Sequence, residues 1–490
     1  KVGYASEEEV KAAMAETQKP DFIKPFQNSL KHAHFVNYIL GQLEDKYGKD
    51  LLENGGLNIY TTLDPKLQNI AEIAVKKGAE ANEKKYNDKN AALVSLDPKT
   101  GQILAMVGSR DYDDPNISGG KVNVATNSFR QPGSSFKPIV YAQAFYNQYG
   151  PGSVVFDTEI KLGNDTPKNF DGKFWGPMTI RKALGQSRNI PAIKAYFLAG
   201  GEKPILELTQ RMGIELEPLR NATDSYSYTL AIGTAGVHLL DMVSAYSVFA
   251  NNGVRHAPIS ILKVQNHQGD VLEEWKADEG TQVLDPQIAY LITNILSDQS
   301  VRLSQNMTIP GQINAAKSGT SNGSTIKNGK KIYFPNDLLT FGYTTRLVTG
   351  VWTGNNDIKV DGTVSIAADG VSTAAPIWKD FMTQALAGQP PEDFPIPEGI
   401  KQVQIAKASG KLPGPLTPPD QITTDIFASF SVPTEIDNSY IQVDIDTLCG
   451  KLANEFTPEE LKKKVTSINQ HDIAPNPSWE KGAQEWLLEN

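Results

Sequence analysis

The sequence predicts an α+β fold with antiparallel strands, and three observations carry this reading. Apolar runs at residues 91–96 and 102–107 flank Asp97-Pro98-Lys99-Thr100-Gly101, residue types that close a hairpin. Strand patterns follow at 314–320, 338–343 and 347–353, the last two joined only by Thr344-Thr345-Arg346, which makes a second tight antiparallel pair. From residue 91 to about 385, helical stretches alternate with such runs.

In chain order, Ser6-Glu7-Glu8-Glu9 is a capping box that opens a short helix. Asp64 as N-cap and Pro65 at the first helical position open another, with Leu67, Ile70, Ala71 and Ala74 on one stripe. Polar residues 81–90 lead into the first hairpin. Arg130-Gln131-Pro132-Gly133-Ser134-Ser135-Phe136-Lys137-Pro138 reads as a Pro-Gly turn opening a helix, with apolar Ile139, Val140, Ala142 and Phe145 following. After Gln389-Pro390-Pro391 the composition shifts, and the proline-rich stretch to 419 reads as linker. Residues 420–490 hold a strand pattern at 440–445 and a charged helical segment at 457–465, whose lysines 462–464 form a solvated face. Cys449 is expected to be buried as a small apolar residue. This tail carries no functional reading and is expected to be an accessory or disordered extension.

The 490 residues admit two to four domains. At 39% hydrophobic and 21% charged the chain is globular rather than disordered. A net charge of −9 argues against a nucleic-acid surface. A single cysteine excludes an intrachain disulfide, and the six histidines lack metal-ligand spacing, so neither metal nor cofactor is expected. No apolar run approaches the ~20 residues that span a bilayer, and no signal peptide opens the chain. The first residue is Lys1 rather than Met, which suggests a soluble fragment of a longer protein.

The chemistry lies in three short motifs. Ser134 and Lys137 form a Ser-x-x-Lys tetrad; three residues apart on a helix, they share a face. A lysine that gives up its proton can activate a serine without any histidine. The tetrad alone is weak, since the same spacing recurs at Ser118, Ser260, Ser324 and Ser478. It gains meaning from Ser187-Arg188-Asn189 and Lys317-Ser318-Gly319-Thr320-Ser321, which follow it in order. The decoy Lys99-Thr100-Gly101 precedes Ser134 and sits in the predicted turn, so it reads as structural.

This ordered triplet resembles the penicillin-binding proteins and serine β-lactamases. The flanks Arg-Gln-Pro-Gly-Ser-Ser-Phe-Lys-Pro, Ala245-Tyr246-Ser247-Val248-Phe249-Ala250-Asn251-Asn252-Gly253, Phe341-Gly342-Tyr343-Thr344 and Gly350-Val351-Trp352-Thr353-Gly354 resemble the transpeptidase domain of class A penicillin-binding proteins. The resemblance implies an antiparallel sheet flanked by helices, with an all-helical subdomain. It implies residues 1–85 as a linker region after an absent glycosyltransferase domain, 86–390 as the transpeptidase, and 391–490 as an extension. Gly3-Tyr4-Ala5-Ser6-Glu7-Glu8-Glu9 resembles the end of that glycosyltransferase region.

It further implies acyl transfer on peptidoglycan stem peptides, donor and acceptor, at the outer face of a bacterial membrane reached through a missing N-terminal anchor. Ser134 would be the nucleophile and Lys137 its base; Ser187 and Lys317 would relay a proton to the leaving amine. Asn189, Ser318, Gly319 and Thr320 would bind substrate, the amides of Ser134 and Thr320 would form the oxyanion hole, and β-lactams would be covalent inhibitors. Arg188 receives no role. Ser321 stands where the family often has threonine. Phe174, Trp175 and Tyr226 are expected in the core rather than the cleft. No Glu-x-x-Leu-Asn pattern is present, which argues against a β-lactamase. A D-alanyl-D-alanine carboxypeptidase and a β-lactam sensor remain as alternatives.

Overall fold

The computed structural model describes residues 6–17, 30–221, 224–327, 330–356, 366–474 and 476–489. The predicted turn after residue 96 closes as a hairpin: Gly101 adopts φ +74° and donates its N–H to Asp97 O (2.9 Å). A positive φ at that position is what glycine permits without strain. The strands it joins, Asn90–Leu96 and Ile103–Val107, form one side of a five-stranded sheet. Next to Asn90–Leu96 comes Val348–Gly354, then Lys330–Tyr343, then the edge strand Ala315–Lys327, every neighbour antiparallel.

The strands Asn90–Leu96, Ile103–Val107 and Val348–Gly354 are buried on both faces, so they read as near-continuous apolar runs whose side chains alternate between two cores. Ala91, Leu93, Ala105, Val107 and Val351 face one layer, where helices Pro65–Tyr86 and Ala374–Ala385 contribute Ala71, Ala74, Ile377, Trp378 and Phe381. Ala92, Val94, Leu96, Met106, Phe341 and Trp352 face the other. There the helical lobe packs, with helices Lys137–Tyr146, Asn189–Leu198, Leu239–Ala250 and Pro286–Ser297. The fold is α+β, with an antiparallel sheet flanked by helices.

Both predicted helix starts behave as their caps dictate. Ser6 Oγ accepts from Glu9 N (3.2 Å) while Glu9 Oε2 accepts from Ser6 N (2.7 Å), opening helix Glu7–Thr17; Gly3 to Ala5 lie outside the described residues. Asp64 Oδ1 accepts from the amides of Lys66 and Leu67. In the region ahead of residue 85, helix Ala33–Tyr47 buries Phe35, Ile39 and Leu43 in the main core, and strand Asn58–Thr61 pairs with Ile261–Gln265. Among the described residues no helix is long and apolar enough to cross a membrane.

The tail is folded, as two hairpins and a terminal helix, Pro477–Glu489, and departs from expectation in three ways. The proline-rich stretch contains strand Lys401–Ala406, paired with Ile422–Phe427. Where a charged helix was expected, a short turn at Glu459–Leu461 leads into strand Lys462–Ile468, antiparallel to Tyr440–Asp446. The lysines specify solvent but not helix; opposite them stand acids, Lys462 across from Asp446 and Lys464 across from Asp444, which favours the strand pair. Cys449 is exposed, because it sits in the turn that follows Asp446.

Asp88 is wholly buried just before the first sheet strand. Neither carboxyl oxygen is hydrogen-bonded among the described residues, the Thr353 hydroxyl being committed to Thr373 Oγ1 (2.8 Å). Burial pushes its pKa up to about 7. An acid with a raised folded-state pKa makes the protein lose stability as pH rises from its ordinary value near 4 to about 7, and the loss is complete above that. The rise corresponds to ~4 kcal/mol at most. Asp88→Asn is therefore expected to flatten the fall in urea-unfolding free energy between pH 5 and 8. An unchanged slope would show that Asp88 does not titrate in that range.

Candidate active site

Ser134 lies in a single tight turn, Gly133–Phe136, that runs into helix Lys137–Tyr146. Of the adjacent serines, Ser135 is spent on structure: its Oγ donates to Pro132 O (2.6 Å), and its carbonyl accepts from Tyr246 Oη (2.7 Å). Ser134 is half-buried, and its hydroxyl has no hydrogen-bond partner among the described residues. The chain reaches this turn by backbone contact. A Cβ on Gly133 (φ +54°) would overlap the Thr320 carbonyl, and one on Gly319 would overlap the Pro132 carbonyl. Glycine at both positions lets the Ser134 turn lie directly on the edge strand, next to the Thr320 amide.

Lys137 is fully buried. Its Nζ donates to Ser187 O (2.6 Å) and Asn189 Oδ1 (2.7 Å), and no hydrogen bond to Ser134 Oγ closes in this structure. Two acceptors satisfy both hydrogens of a neutral amine and leave its lone pair unassigned. Burial first, then the charges of Lys317 and Arg188, hold the Lys137 amine well below its ordinary range. Lys317, on the edge strand, donates to Ser187 Oγ (2.7 Å) and Ser318 O (2.9 Å), and burial brings its pKa down to about 7. Ser187 thus bridges the two lysines, one through its carbonyl and one through its hydroxyl.

Ser187 sits in the link between helices Ile180–Gly185 and Asn189–Leu198, with φ +57°. That region costs a serine of order 1–3 kcal/mol and is kept only where surroundings enforce it. Neither Ser187 nor Asn189 caps the second helix, whose N-cap is Arg188 without a side-chain cap bond. The cap comes from elsewhere: Asn169 Oδ1 accepts from the amides of Asn189 (2.8 Å) and Ile190 (3.2 Å). Asn189 Nδ2 donates to Lys168 O (3.0 Å).

The residues that sequence reasoning missed are those that hold this link. Arg188 is fully buried; Nε donates to Asp157 Oδ2 (2.9 Å), Nη1 to Asp171 Oδ2 (2.9 Å) and Nη2 to Lys173 O, while the guanidinium lies 4.2 Å from the Trp175 ring centroid. Asp157 also accepts from Asn169 Nδ2 (2.7 Å). No local pattern marks Asp157 or Asn169, since their partners lie well down the chain. Trp175 is exposed at the surface rather than in the core, covering Arg188; Phe174 and Tyr226 do pack against buried clusters.

On the edge strand, Thr320 Oγ1 accepts from Gly370 N (3.1 Å), and Ser318 is buried beside Lys317. Ser321 faces inward, its hydroxyl donating to Asp337 Oδ2 (3.2 Å). The structure therefore gathers Ser134, Lys137, Ser187, Asn189, Lys317, Ser318, Gly319 and Thr320 in one place. Among the described residues no cluster of three metal-ligand side chains exists.

The family model for the penicillin-binding protein transpeptidase domain matches residues 91–383. The chain belongs to this family. A second model, for the C-terminal domain of penicillin-binding protein 1A, matches residues 396–442. Penicillin-binding protein 2D of Bacillus subtilis is 30% identical over 405 residues, 79% of this chain and 53% of that protein. Penicillin-binding protein 1A of Clostridium botulinum is 30% identical over 471 residues, covering 91% of this chain and 53% of its own. The chain thus spans about half the length of these relatives. Among solved structures, the Mycobacterium tuberculosis PonA1 protein in complex with penicillin V is 26% identical, with a TM-score of 0.64 over 74% of this chain and 95% of that one.

Proposed function

We propose that this chain is a serine D,D-transpeptidase that cross-links peptidoglycan stem peptides through an ester on Ser134. The observation that carries the reading is Ser187 bridging two buried lysines beside a half-buried serine on a glycine-lined turn. Ser134 Oγ attacks the carbonyl between the two terminal D-alanines, and its proton passes to neutral Lys137. The oxyanion forms against the amides of Ser134 and Thr320, donors preorganised in main chain and needing no reorientation. Collapse breaks the C–N bond; Lys317 supplies a proton through the Ser187 hydroxyl to the departing D-alanine amine. An amine of a second stem peptide then attacks the ester carbonyl, its proton passing through the Ser187 hydroxyl back to Lys317, and as the C–O bond breaks Ser134 takes its proton back from Lys137.

Asn189 presents its amide to the substrate backbone while accepting from Lys137, and Ser318, Thr320 and Lys317 meet the terminal carboxylate. We assign the catalytic unit to residues 86–390 and its activity to the outer face of a bacterial membrane, where the substrate lies. β-Lactams present a strained amide to the same serine and remain attached as the acyl-enzyme.

Incubation with a penicillin, followed by intact mass for hours and peptide mapping, tests the reading. A stable adduct on Ser134, absent in Ser134→Ala, is expected. An adduct that vanishes while drug is consumed would mean a β-lactamase, and no adduct would end the catalytic reading. Continued D-alanine release from a stem-peptide mimic would separate the enzyme from a sensor that acylates once.

A further inference from the structure

The two tail hairpins are copies of one unit. Gln402, Val403, Ile405, Gly410, Lys411, Leu412, Thr417 and Pro418 recur as Gln442, Val443, Ile445, Gly450, Lys451, Leu452, Thr457 and Pro458, a repeat of about 40 residues. Their backbones match bond for bond. Ala406 N donates to Lys411 O (2.8 Å) and Asp446 N to Lys451 O (2.8 Å). Lys407 N donates to Gln421 O (2.8 Å) and Thr447 N to Leu461 O (2.9 Å). Gly410 and Gly450 share φ of 72° and 71°.

Among the described residues, the first copy holds a strand that the second does not. Leu412 pairs in parallel with Ile436, its N–H donating to Glu435 O (2.9 Å) and its carbonyl accepting from Asp437 N (2.7 Å). Asp437 anchors the segment, accepting from Ser409 Oγ (2.7 Å) and Thr417 Oγ1 (2.7 Å).

In the second copy, Leu452 bridges Ile445 with flanking bonds Ala453 N to Asp444 O and Asp446 N to Lys451 O. In such a pair, the N–H and C=O of Leu452 point away from Ile445, toward the side that the first copy uses. They have no partner among the described residues. Thr457, the counterpart of Thr417, is nearly buried, and its hydroxyl accepts from Asn454 N (3.2 Å) with no acceptor for its own proton among the described residues. Around this edge Leu448, Leu452 and Phe456 are 79%, 69% and 84% exposed; in the first copy Ala408, the counterpart of Leu448, is buried, and Leu416, the counterpart of Phe456, is 39% exposed. Among the described residues nothing covers them: after residue 468 the backbone turns back to the catalytic unit, where Asp472 pairs with Lys194.

We propose that the second repeat captures an extended segment of a partner polypeptide, added as a parallel strand along Leu452. The strand carries a carboxylate to Thr457 and apolar side chains to Leu448 and Phe456. Strand addition supplies affinity through main-chain bonds and selectivity through alternate side chains. A second copy of this chain is a poor occupant, because its own Glu435–Asp437 segment is already consumed in its first repeat.

The probe is a synthetic peptide of residues 432–440 with Asn438→Cys, which keeps the Asp437 carboxylate, presented to the full chain as a mixed disulfide with a small thiol. Cys449 stands at the position of Ser409, so a docked peptide brings its sulfur beside the only thiol of the protein. Exchange monitored by intact mass is expected to run at least ~tenfold faster than for a scrambled peptide, through raised effective concentration. Leu452→Asp with Phe456→Asp, both exposed, should abolish the advantage while penicillin acylation of Ser134 continues and reports an intact fold. Equal rates for native and scrambled peptides would overturn the proposal, as would an advantage that survives the double substitution. A concentration-dependent dimer in sedimentation that the same substitutions dissolve would assign the edge to a second copy instead.

Discussion

Lys137→Ala is expected to slow acylation of Ser134 by penicillin ~10²–10⁴-fold, the range of a positioned general base. The wild-type rate constant should rise with pH as Lys137 loses its proton. Burial, then the charges of Lys317 and Arg188, hold Lys137 well below its ordinary range against the opposing pull of Asp157, and burial brings Lys317 down to about 7. The proposed mechanism uses Lys137 neutral and Lys317 charged, able to attract the drug's carboxylate. Above pH ~7 the loss of the Lys317 charge should bring the rate down, giving a bell. In Lys137→Ala the rising limb should vanish from the residual activity and the falling limb remain. Stopped-flow acylation across pH measures both; a rising limb that persists without Lys137 would assign the base elsewhere.

The second large effect is on stability. Lys194 and Asp472 are both fully buried and paired, Lys194 Nζ also donating to Phe156 O (2.7 Å). Lys194 lies on the helix that begins at Asn189, and Asp472 lies in the tail, so the pair fastens tail to catalytic lobe. Trp479 packs over the same helix against Ile190 and Ile193. Asp472→Ala leaves a buried ammonium without its counter-charge, which should cost ~3–5 kcal/mol in urea unfolding. The double replacement Lys194→Met with Asp472→Leu should recover most of it, since two apolar groups leave no charge to compensate. A double variant as unstable as the single one would show that lost packing, not stranded charge, carries the effect. A neighbouring clamp, Arg181 on Asp425 (2.6 Å), fixes the helix on the other side of Ser187.

How much of this could be read in advance depended on the range of the interactions. The hairpins, both capped helices and the three motifs were legible because turn residues, caps and the motif spacings are local signals. The strand at Lys462–Ile468 was not, since three lysines announce only solvent and the acids that pair with them lie on another strand. The support around Arg188 was also hidden: a buried arginine is satisfied by Asp157, Asp171 and Lys173, which precede it and carry no motif. The tail repeat escaped notice because its shared residues are mostly turn and strand formers, scattered among proline in one copy and charge in the other.

The glycine contacts beneath Ser134 have a mechanical consequence. Gly133 rests on Thr320, Gly233 on Gly133, Gly319 on Pro132, and Gly370 on Gly319, backbone against backbone. Helical lobe and sheet meet there without a side chain to rotate and absorb a displacement. Any shear of one lobe past the other is therefore transmitted undiminished to the distance between nucleophile and edge strand. Reactivity of Ser134 then works as a strain gauge for lobe alignment, and on heating it should fade before the sheet or the helices melt.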